Sequence, residues 1–142
     1  MFRKYFLFLL VLPFFIGVIS ADERKKAPKE AHLYFISPKD GETVSNPVTV
    51  RFGLKGMGVA PAGILKENTG HHHLLIDLEK LPALNAPIPK DDHHRHFGGG
   101  ETETTITLPA GKHTLQLLLG DLTHIPHHPP VISEKITVTV KE

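Results

Sequence analysis

Apolar and polar residues alternate along much of this chain, and the alternation predicts strands. Val48, Val50, Phe52 and Leu54 are separated by Thr49, Arg51 and Gly53, the period-two pattern of a strand with one buried face. Pro47 stands at the start of that run, where a missing N–H is tolerated. Thr102 to Leu108 alternates in the same way, as do His113, Leu115, Leu117 and Leu119, and then Ile136, Val138 and Val140 against Thr137 and Thr139. The run 32–37 is short and apolar and is stopped by Pro38. In Pro38-Lys39-Asp40-Gly41, proline presets one turn dihedral and glycine accepts a positive one. No segment after residue 20 carries a convincing helical period. The expected fold is all-β, an immunoglobulin-like antiparallel sandwich of about seven strands over residues 32–142, with strands near 32–37, 48–54, 72–79, 89–96, 102–108, 112–119 and 131–140. It lacks the cysteine pair and tryptophan of antibody domains, so the expectation concerns architecture alone.

Between the strands, residues 56–63 (GMGVAPAG) are too rich in glycine and proline for regular structure and too apolar for a solvated loop, which predicts a packed, shaped loop. Residues 81–89 form a connection. Gly98-Gly99-Gly100 is a turn or a close backbone approach. Residues 120–130 (GDLTHIPHHPP) make a loop holding three histidines and stiffened by three prolines. At the other end of the chain, residues 1–20 read as a secretory signal: Arg3 and Lys4, an apolar run from Tyr5 to Ile19, and small residues ahead of a cut before Ala21. The alternative is a retained N-terminal anchor. Residues 21–31, charged and without apolar period, read as a flexible tether.

The chain contains no cysteine, which excludes lipid attachment at an N-terminal cysteine, disulfides, thiolate metal sites and covalent haem. An exported, cysteine-free chain of this kind suits a bacterial periplasm or secretion. The formal charge is +1; without Arg3 and Lys4, 14 basic and 15 acidic residues remain. That balance gives no reason to expect nucleic acid as a partner, and no membrane association is expected once the signal is removed.

The 11 histidines among 142 residues change the picture, because imidazole is the commonest protein ligand for transition metals. On the expected strand 72–79, His72, Leu74, Ile76 and Leu78 share one face, read as core-facing. His71, His73, Leu75 and Asp77 share the other. In an antiparallel sandwich, successive loops alternate between the two ends, which would gather residues 71–73, His94, His96, His124, His127, His128 and His32 at one end and leave His113 at the other. The candidate metal ligands are His71, His73, His94, His96, His127 and His128, with His124 as a helper and Glu101 or Glu103 as an oxygen donor; His72 is assigned to the core edge. With no thiolate and two methionines, such a site suits Cu(II) first and Zn(II) second, with Ni(II) also compatible. Two other readings stay open. One is a metal-free interaction module with histidine-rich loops, engaging another periplasmic protein. The other is a metal-dependent hydrolase, with acid–base help from Asp77 or Asp121, although no nucleophile or hydrolase motif is present.

Residues 56–63, 68–77 (NTGHHHLLID), 96–104 (HFGGGETET) and 113–117 (HTLQL) together resemble a bacterial exported family catalogued as domain of unknown function 4399. The resemblance spans about residues 33–140 and implies a small secreted β domain with no established activity to carry over. Residues 37–44 (SPKDGETV), followed by Pro47 and a strand, are more loosely similar to the opening of periplasmic copper-resistance proteins of the CopC type. That family is also a cysteine-free sandwich, and its N-terminal histidine helps bind copper. His32 stands near the matching place but would not carry a free amine after a cut at Ala21.

Overall fold

The computed structural model describes residues 23–142; the expected signal segment lies outside the described residues. Among the described residues, nine strands run in chain order: β1 (His32–Ser37), β2 (Thr43–Val44), β3 (Val48–Lys55), β4 (Gly58–Val59), β5 (Thr69–Ile76), β6 (His94–His96), β7 (Glu103–Ile106), β8 (Gly111–Gly120) and β9 (Ile136–Val140). They form two sheets. One has the order β1-β3-β7; the other has the order β2-β9-β8-β5-β4, with β6 also paired to β5. The long pairings are antiparallel, while the two-residue strands β2 and β4 add short parallel pairs at the margins. The fold is an all-β sandwich, as the alternation predicts.

Leu33, Phe35, Val50 and Phe52 of the smaller sheet pack against Leu74, Ile76, Leu115, Leu117, Leu119 and Val138 of the larger one. These are the even or odd members of each alternating run, so period two places them on the facing surfaces. The larger sheet is also covered on its outer surface. There Leu75 and Leu118 pack with Ile88, Leu78, Leu84 and Ile132, contributed by the connections after β5 and β8. With both faces covered, β5 is buried from Gly70 to Ile76. Three adjacent histidines can therefore be fully enclosed, one on the inner face and two on the outer.

The strand limits differ from expectation where side chains bend the chain. β5 begins at Thr69 and ends at Ile76, where Asp77 takes φ 54° and its carboxylate accepts the Thr114 amide at 2.8 Å. The expected strand 89–96 shrinks to His94–His96 because the Asp91 carboxylate accepts the amides of His93 and His94 at 2.8 and 2.9 Å, folding 91–94 into a turn. β9 starts at Ile136 rather than 131. Before it, residues 131–133 still run along β8: the Leu119 amide donates to the Val131 carbonyl, and Leu117 and Ser133 bond each other through backbone and hydroxyl. Residues 25–27, in the segment read as a tether, lie along the 120–130 loop. The Ala27 amide donates to the His128 carbonyl at 3.0 Å, and the His128 amide to the Lys25 carbonyl at 2.8 Å.

Candidate metal centre

The outward face of β5 carries His71 and His73, two residues apart and so on the same side of the sheet. Register brings in a third ring: His96 of β6 is the partner of His73, and directly paired residues share a face. The loop after β8 supplies a fourth, His124. Ring centroids lie 4.8 Å apart for His71–His73, 5.1 Å for His71–His96, 5.1 Å for His73–His96, 5.0 Å for His71–His124, 4.7 Å for His96–His124 and 6.1 Å for His73–His124. One ring nitrogen from each of His71, His73 and His96 falls in a set whose members are all within 4.8 Å of one another. Nitrogens on one tetrahedral ion stand about 3.3 Å apart at bond lengths of about 2.0–2.1 Å, so small side-chain rotations close the set around an ion.

The electrostatics suit that use. His71 and His73 are completely buried, and neither nitrogen of either ring has a hydrogen-bond partner; nor has Nε2 of His96. Burial, followed by repulsion from His124 and His96, lowers the His71 pKa to about 4. Burial, followed by the charges of His71, His96 and His124, lowers that of His73 to about 3. His96 is lowered for the same reasons, burial first and His124 second. At neutral pH these rings are uncharged bases whose lone pairs are not occupied by any protein donor. Buried polar atoms without partners are destabilising, and a cation on those lone pairs would satisfy several at once.

Two glycines shape the space. A Cβ at Gly120, the partner of His71 across the sheet, would come within 2.7 Å of Cε1 of His73; one at Gly98 would lie 2.4 Å from Cε1 and 2.8 Å from Nε2 of His96. The glycine run at 98–100 predicts a turn or a close backbone approach without indicating what approaches, and nothing in the local sequence singles out Gly120. Gly98→Ala is expected to leave the fold intact, because a ring can swing aside, and to weaken metal binding by about ten- to a hundredfold, the range seen when a ligand's support is removed. Circular dichroism and a metal titration on the same sample check both halves.

The remaining candidates lie elsewhere. His94 is held by Asp91, Nδ1 to Oδ1 at 2.8 Å. His127 is buried and its Nε2–H donates to the Thr69 carbonyl at 3.2 Å. His128 turns toward the N-terminal segment, its Nδ1 2.7 Å from an Arg24 guanidinium nitrogen. Glu101 accepts the Gly99 amide and Glu103 pairs with Arg51 at 3.0 Å. His72 faces inward, its ring 5.1 Å from that of Phe52, and burial lowers its pKa to about 4. His113 contrasts with all of these. Both its nitrogens meet oxygens, Asp77 Oδ2 at 2.7 Å and the Pro109 carbonyl at 2.8 Å. Burial opposes its charge, but these partners outweigh burial and raise its pKa. The cluster therefore sits on the outer face of the larger sheet, beneath a loop, and is not assembled from loop tips at one end of the sandwich. Face parity and the β5–β6 register bring the rings together, and the alternation of loops between ends does not.

Fold and site define an all-β sandwich with a buried histidine centre able to hold a metal ion. Residues 50–141 match the family described as Domain of unknown function (DUF4399), and the chain belongs to that family. No curated protein and no solved structure matches it, and the looser likeness to copper-resistance proteins stays an expectation.

Proposed function

We propose that this is an exported, periplasmic or secreted protein that binds a divalent transition metal through His71, His73 and His96. The observation that carries the reading is the set of three imidazoles, two buried and one half-buried, whose nitrogens converge within 4.8 Å, with both nitrogens of His71 and His73 and Nε2 of His96 lacking other partners. An ordinary structural histidine in a core makes hydrogen bonds; these are aimed at one another. The donors are all nitrogen, which suits copper and zinc among the common ions. Export is supported by the basic start, the apolar run and the small residues before Ala21.

Calorimetric titration of the purified protein with Cu(II) and with Zn(II), in non-chelating buffer, tests the reading. One equivalent is expected to bind with sub-micromolar affinity, about −8 kcal/mol or better, and a His71→Ala/His73→Ala variant is expected to lose it. Weak binding at several sites, unchanged in that variant, would refute the metal centre and direct attention to an interaction role.

A further inference from the structure

We infer that His124 is the fourth ligand of this centre, closing it into a tetrahedral four-imidazole shell of the kind that suits Zn(II) and leaves no position for a substrate. The inference rests on the metal-binding reading above and extends it to coordination number, ion and class of use.

The arrangement of the four rings is not flat. Their six centroid separations run from 4.7 to 6.1 Å. A planar array with sides near 5 Å would need at least one diagonal of about 7 Å or more, whereas separations this nearly equal are the edges of a distorted tetrahedron. Tetrahedral nitrogen donors are the ordinary preference of zinc, and Cu(II) favours a tetragonal plane. Three protein ligands would leave a fourth position open to water, as in catalytic zinc sites. The nitrogens that converge within 4.8 Å belong to the other three rings; the ring of His124, its centroid 4.7–6.1 Å from theirs, would take the place of that water by turning a nitrogen inward.

His124 is held there by its loop. It takes φ 70°, a conformation disfavoured for a residue with a side chain, and the surrounding bonds hold it. Oδ1 of the buried Asp121 accepts the Thr123 amide and hydroxyl, each at 2.8 Å, and the Ile125 amide at 3.0 Å. The His124 amide donates to the Asp121 carbonyl, and the His124 carbonyl accepts the Ile88 amide, both at 2.9 Å. Asp121 is thus a positioning residue for the ring of His124. Exchange of the metal requires this loop to lift. A closed shell under a tied loop holds a metal for structure or storage, and hydrolysis needs the open position that His124 fills.

Cobalt(II), which replaces zinc and reports coordination through its visible bands, provides the test on the full-length protein, with His124→Gly as the variant because glycine accepts the positive φ. The wild type is expected to show intense tetrahedral bands that azide does not change. His124→Gly is expected to bind Co(II) about ten- to a hundredfold more weakly, to respond to azide, and to regain the wild-type bands when imidazole is added. His94→Ala, which alters a ring outside the cluster, is expected to behave as wild type. An azide response in the wild type, or the same spectrum in wild type and His124→Gly, would show an open three-histidine site and overturn the inference while leaving metal binding intact. Binding of Cu(II) alone would overturn the inference and leave metal binding intact; absence of cobalt, zinc and copper binding in the wild type would overturn both.

Discussion

Leucine at positions 71 and 73 together is expected to make the metal-free protein more stable, by about 2–4 kcal/mol, and to abolish its response to metal. The four ring nitrogens of these side chains are buried without partners, and each such atom costs on the order of 1 kcal/mol or more. Leucine is close in volume, and the outer-face neighbours Leu75 and Leu118 are already apolar. The wild type should behave in the opposite sense once loaded. A ligand at a hundred times its dissociation constant adds about 2.7 kcal/mol, a rise of roughly 10 °C in the melting temperature of a domain this size. Melting curves of wild type and variant, each with and without Zn(II), give the four values needed. Histidines that merely build the fold would show the reverse sign in the metal-free state: the variant would melt earlier.

Acidification should have the second large effect. The pKa values of His71 and His72 fall to about 4 and that of His73 to about 3, against 6.5 in the unfolded chain. Between those values the unfolded state binds protons that the folded state refuses, so stability is full above about pH 6.5 and declines as pH falls toward 4. Each tenfold loss of proton affinity is worth about 1.4 kcal/mol, giving up to about 3 kcal/mol for each histidine by pH 4. Three together approach the whole stability of an ordinary domain, and the metal-free protein is expected to unfold between about pH 4 and 5. Denaturant titrations from pH 7.5 to 4 measure the slope. His72→Leu should flatten it by one histidine's share without touching metal binding, since that ring faces Phe52 across the inner core. A pH-independent midpoint in the wild type would show that these rings accept protons without opening the fold. His113 acts in the opposite direction: its raised pKa adds stability that is present below pH 6.5 and lost as pH rises through the folded value.

Alternation of apolar and polar residues was enough to define the sandwich and the faces of its central strand. Period two assigns Leu74 and Ile76 to the core and His71, His73 and Leu75 to the opposite surface, and the structure follows that parity, because in a strand the direction of a side chain depends only on its position in the count. The grouping of histidines also marked His71, His73, His96 and His124 among the candidates. Separating them from His94, His127 and His128 took the tertiary structure, for three physical reasons. Register between β5 and β6 pairs His73 with His96, and cross-strand register is a long-range property that no local spacing carries. Local capping removed His94, whose neighbour Asp91 claims both its amide and its ring. And burial of the outer face, which turned ordinary imidazoles into unpartnered neutral donors, depends on connections from residues 78–93 and 121–134 folding back over the sheet. Composition counts eleven histidines; the packing of two connections over one sheet face selects the four that meet.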